Sequence, residues 1–142
     1  MVDVIKLASN IEDMAEYEPL PAAPYMAELR ECEIRHSEKV PGGYLYTVFR
    51  IDPADFPADY DAANAPEGLN VVYANVKLPD PNNRRTVAPF KAFLKSLDVT
   101  LQGDTFDPAE WLGKQARVLL SVNTYQGQRV NNVDAVMPLS SV

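Results

Sequence analysis

A chain of 142 residues, 46% of them hydrophobic, is sized for one domain whose core needs no covalent staples. Its single cysteine excludes an internal disulfide, its single histidine leaves little for a metal site, and no apolar run approaches the ~18 residues that cross a membrane. A net charge of −7 excludes a basic domain of the kind that announces nucleic-acid binding by charge alone.

The charge is unevenly placed. Residues 1–24 carry five acids and one base, and residues 53–70 carry four acids and no base. Residues 71–142 carry eight bases and six acids, which leaves room for a local basic groove. The two acidic segments read as solvated loop. Sparse cysteine fits a reducing cytoplasm. The start MVDVIKLASNIEDM lacks the basic-then-apolar order of a secretory leader, so none is expected.

Residues 1–24 are expected to form an acidic arm. Ser9 and Glu12 are spaced as a capping box, which predicts a short helix from Asn10 to Tyr17. Pro19, Pro21 and Pro24 then enforce an extended path. Strand one is expected over Tyr25–Arg35. Ala27 and Leu29 share one parity and Cys32 and Ile34 the other, so the strand needs a bulge near Arg30-Glu31. Cys32 reads as a buried thiol and His36 as a surface residue of the turn at 36–43.

Strand two is expected over Tyr44–Asp52, with Leu45, Thr47, Phe49 and Ile51 on one face and Tyr44, Tyr46, Val48 and Arg50 on the other. The inverse parity, with Tyr46 and Val48 inside and Phe49 outside, stays open. Residues 53–68, rich in Pro and Asp, read as an insertion loop. Strand three is expected over Leu69–Leu78, where Val71, Tyr73, Asn75 and Lys77 alternate with Val72, Ala74, Val76 and Leu78. A helix capped by Thr86 follows, with Val87, Phe90, Phe93, Leu94 and Leu97 in one stripe. Asp107-Pro108-Ala109-Glu110 starts a one-turn helix that Gly113 ends. Strands four and five, Lys114–Tyr125 and Gln128–Met137, form a hairpin around Gln126-Gly127.

Three strands, a helix and two more strands, with a bulge in the first, give the order of a five-stranded OB-fold (oligonucleotide/oligosaccharide-binding) Greek-key barrel over residues 25–138. The order of several short motifs also resembles phage-encoded single-stranded-DNA-binding proteins. These are Pro21-Ala22-Ala23-Pro24-Tyr25 before strand one and the aromatic strand two ending Ile51-Asp52. Arg84-Arg85 and Phe90-Lys91-Ala92-Phe93-Leu94 follow, then Trp111-Leu112-Gly113-Lys114, Tyr125-Gln126-Gly127 and Asn131-Asn132-Val133. Many such proteins carry an acidic C-terminal tail, whereas here the acid lies in residues 1–24. The resemblance implies a sequence-independent protein of bacteriophage replication or recombination, acting in the host cytoplasm. Its partner would be single-stranded DNA, or RNA, with no cofactor and no membrane.

Single strands are held by aromatic faces that stack on bases and by cations that track phosphates. In an OB barrel these lie on strands two and three and the flanking loops. The candidates are Tyr44, Tyr46 and Arg50 on strand two, Tyr73 and Lys77 on strand three, and Lys39 in the first loop. Arg117, Tyr125 and Arg129 come from the last hairpin. Each tyrosine reads equally as a packing residue, and each cation as solvated surface. Catalytic groups are not recognisable: Asp55, Asp59 and Asp61 have no partner base, and Gly42-Gly43 lacks the rest of a phosphate loop. The alternative is a structural or interaction subunit of a virion or other assembly, forming homo-oligomers or binding a partner protein through the N-terminal arm.

Overall fold

The computed structural model describes residues 4–10, 12 and 18–140. Five strands build one antiparallel sheet: β1 (Ala23–Arg35), β2 (Tyr44–Ile51), β3 (Leu69–Lys77), β4 (Gln115–Tyr125) and β5 (Gln128–Met137), in the order β3-β2-β1-β4-β5. The edge strands β3 and β5 approach with Cα atoms within 8 Å, so the sheet curls toward a barrel-like form. The one α-helix among the described residues, α1 (Val87–Ser96), packs against both of these edge strands. Phe90, Phe93 and Leu94 turn inward at helical spacing, with Leu97 just beyond the last turn.

The bulge in β1 lies where the parity change demands it. The register with β2 shifts between Leu29 and Glu31, so Ala27 and Leu29 face the core before it and Cys32 faces Thr47 after it. Leu45, Thr47, Phe49 and Ile51 are fully buried, which settles the parity of β2 and excludes its inverse. Val48, on the other face, is also covered.

β3 departs from simple alternation. Leu45 faces Val76 and Thr47 faces Tyr73, so two steps along β2 span three along β3. The extra residue, at Ala74-Asn75, reverses the parity. Val71 and Val76 are therefore both buried, and Val72 is exposed. Thr47 donates its hydroxyl to the Tyr73 carbonyl beside the irregularity (2.5 Å).

The loops are built from Asx turns. Asp52, Asp61, Asn83 and Asp107 each accept the backbone N–H two residues on and open a short 3-10 turn. Two of these turns order the 53–68 loop, held by Asp52 just before it and by Asp61 within it, so Asp61 holds a turn rather than merely solvating the loop. Thr86 makes no cap on α1. Its hydroxyl instead accepts from Asp80 N–H and donates to Asn83 C=O, closing the turn before the helix.

The segment expected as an arm through residue 24 is anchored from Glu18 onward. Leu20 is fully buried, and Asn131 on β5 brackets its backbone, accepting from Leu20 N–H and donating to Leu20 C=O (both 2.9 Å). Tyr25 donates to Pro21 C=O and Tyr60 to Glu18 C=O. Apart from Asn10 and Glu12, the helix expected over Asn10–Tyr17 lies outside the described residues. Among the described residues no helix is long and apolar enough to cross a membrane.

Candidate nucleic-acid interface

Residues directly opposed across an antiparallel ladder share a face. On the outer face of β1, β2 and β3 this produces four rows. Arg35, Tyr44 and Lys77 form the first; Glu33 and Tyr46 lie in the second; Glu31, Val48 and Val72 form the third; Glu28, Arg50 and Asn70 form the fourth. A half-buried tyrosine thus stands between two exposed cations at the end of the sheet where the β1–β2 loop turns. Lys39 is exposed in that loop, which backbone bonds between Ser37, Val40 and Gly43 hold in shape. The structure therefore gathers Lys39, Tyr44, Tyr46 and Lys77 at one end of the face.

Tyr46 is partly covered. The Arg35 guanidinium lies 3.5 Å over its ring centre, and Arg35 Nε donates to Glu33 (2.5 Å). A cation over an exposed ring contributes roughly 0.5–1 kcal/mol, against ~1–3 kcal/mol for a stacked base. The Arg35 contact is therefore weaker than a stacked base would be, and it does not by itself close the ring to stacking. Arg35 was not among the residues expected from the sequence. Its signal is positional: it closes the hairpin opposite Tyr44.

Other expected residues are placed elsewhere. Tyr73 does not share a face with Lys77: its ring stacks on Phe93 of α1 (centroids 6.2 Å, planes 21° apart), and burial raises its hydroxyl pKa. The bulge at Ala74-Asn75 is the cause. Arg50 clamps the insertion loop, with Nε donating to Glu67 C=O (2.8 Å) and Nη1 to Asp52 (3.2 Å). Gly68 makes this possible, because a Cβ there would stand 2.9 Å from Arg50 Nε and 2.7 Å from Ile51 C=O. Arg117 donates to Leu139 C=O. It lies eight residues before Tyr125, ~26 Å along a strand. Tyr125 and Arg129 are exposed at the β4–β5 tip, beyond the opposite end of β1 from Arg35, because Ala23 pairs with Leu120 and β4 runs on past it.

Several of the motifs that carry the family resemblance hold architecture. Gly113 N–H donates to Leu29 C=O and Leu29 N–H to Lys114 C=O, bracing β1 beside its bulge (both 2.8 Å). Trp111 is buried and stacks on Phe106. Val133 lies in the core, and Asn131 fastens Leu20. Two cavities lie apart from the first row. One of about 500 Å³ is lined by Arg30, Glu31, Val48, Arg50, Glu67 and Asn70, and an apolar one of about 490 Å³ lies against α1 around Phe90, Leu94 and Leu101. Among the described residues no three His, Cys, Asp or Glu side chains are gathered as a metal site needs.

Compared with known proteins, the chain matches no family model and no curated sequence.

Proposed function

We propose that this chain is an OB-type barrel that binds single-stranded DNA without sequence preference, in the manner of the phage replication and recombination proteins its motif order resembles. The strand order and the convergence of β3 and β5 support the barrel type. The observation that carries the binding is the Arg35–Tyr44–Lys77 row with Tyr46 beside it: a stacking platform bordered by cations. Its acidic neighbours Glu28, Glu31 and Glu33 confine a polyanion to the end of the face where the cations stand.

The test is a fluorescence-anisotropy titration with a dT oligonucleotide at low salt, repeated with an rU strand. Tyr44→Ala and Tyr46→Ala should each weaken binding by roughly 5- to 150-fold, the span of ~1–3 kcal/mol per stacked base. Absence of binding by the unaltered chain at low salt overturns the proposal.

A second reading, an interaction subunit, draws on a different observation. Val4, Ile5 and Leu7 project into solvent, with Val4 92% and Ile5 84% exposed. Apolar side chains left in water within an acidic segment suit a protein partner or a second copy. Removing residues 1–17 should then change the oligomeric state read by light scattering; an unchanged oligomeric state counts against this reading.

A further inference from the structure

Beyond the first row, the sheet edge opens into a notch of about 370 Å³ lined by Asn75 and Lys77 of β3, Asn83, Arg85 and Thr86 of the following turn, and Pro89 of α1. Its outer wall is tightly held. Asp80 and Asn83 form a β-bridge, and Asn83 N–H donates to Asp80 C=O (2.9 Å). Asn83 Oδ1 accepts Arg85 N–H (3.3 Å), and the Thr86 hydroxyl ties both ends of the turn together (2.7 Å to each). Arg85 is thus presented from a backbone whose position is fixed before any ligand arrives.

The cations of the notch differ from the arginines of this face. Among the described residues, Arg30, Arg35 and Arg50 are each paired with a carboxylate two positions away. No such pair involves Lys77 or Arg85. The nearest carboxylate of the turn, Asp80, accepts Asn82 N–H (2.9 Å) and is not part of the notch lining. Two unneutralised cations and two side-chain amides in one concavity match the donors that a phosphodiester accepts. Lys77 belongs both to the notch and to the row beside Tyr44, so the two sites are continuous.

Resting on the single-strand reading above, we infer that this notch is a backbone subsite. It takes a phosphodiester of the strand as it leaves the Tyr44–Tyr46 platform and carries it off the barrel over the turn at 83–86. Stacking at the tyrosines and phosphate capture at the notch are then separable parts of one footprint.

The experiment compares a dT strand with an abasic strand of the same length, over a range of salt. Arg85→Ala should weaken both strands equally, by roughly tenfold at low salt, and reduce the slope of log K against log salt by about 0.7. Lys77→Ala should do the same, Arg85→Lys should retain the slope, and Arg84→Ala, outside the notch, should change nothing. Tyr44→Ala should weaken the dT strand alone. If Arg85→Ala and Lys77→Ala leave the slope intact while Tyr44→Ala still weakens dT binding, the subsite is rejected and the single-strand reading stands. If the unaltered chain binds neither strand, both fall. Inorganic phosphate should compete beyond its ionic strength with the unaltered chain but not with Arg85→Ala, as a phosphate subsite shared with the strand requires.

Discussion

At the scale of single residues, the outer face is governed by who neutralises whom. Glu33 holds Arg35 over Tyr46, so one carboxylate both covers a stacking surface and consumes a cation. Glu33→Gln should loosen that latch and tighten dT binding by up to roughly fivefold at low salt, since an exposed pair contributes only ~0.2–1 kcal/mol. An anisotropy titration measures it. Cys32 reports the inner face. Burial, with Glu33 adding, pushes its thiol from an ordinary 9.0 up to about 11. The folded chain favours the neutral thiol, so the contribution of Cys32 to stability is complete below pH 9 and is lost as pH rises toward 11. Urea midpoints should therefore fall more steeply for the unaltered chain than for Cys32→Ser across that window. Tyr25, Tyr60 and Tyr73, whose pKa values are also raised, contribute equally to both and cancel in the comparison.

Between elements, α1 is fastened to the sheet by Phe93, which meets Phe49 edge-on (6.5 Å) and stacks on Tyr73. Phe93→Ala should destabilise the fold by about 3–5 kcal/mol in urea unfolding, because the cavity opens against β2 and β3 together. The sequence makes α1 legible, since its stripe repeats at three and four residues and needs no distant partner. It also makes the β1 bulge legible, because two apolar pairs of opposite parity within one strand admit no other arrangement. The bulge in β3 is hidden: Tyr73, Asn75 and Lys77 alternate cleanly, and only the pairing of Thr47 with Tyr73 reveals the extra residue. That single residue moves Tyr73 from the expected binding face to the helix contact. The Arg50 clamp is hidden for a related reason, because its main acceptor lies 17 residues away in a loop whose path the sequence leaves open. Of the candidate site, Tyr44, Tyr46, Lys39 and Lys77 converge, and Arg35 joins them through register alone.

Across the whole molecule, an acidic protein presents a small cationic end. The carboxylates along β1 and the cations of the first row and the notch divide one surface by sign, so a net charge of −7 does not forbid a local polyanion site. Leu20 and Asn131 join regions 111 residues apart, and Asn131→Ala removes the partner of both backbone groups of a buried residue. Thermal and urea unfolding should show a loss of about 1–3 kcal/mol. The same clasp has a mechanical meaning. Through Leu20, the chain is gripped by β5 before it enters β1, and through Glu18 by the loop at Tyr60 and Asn64. A pull on residues 4–10 is therefore borne first by an edge strand and the insertion loop. β1 begins only at Ala23, beyond both grips, so such a load reaches the central strand of the sheet last.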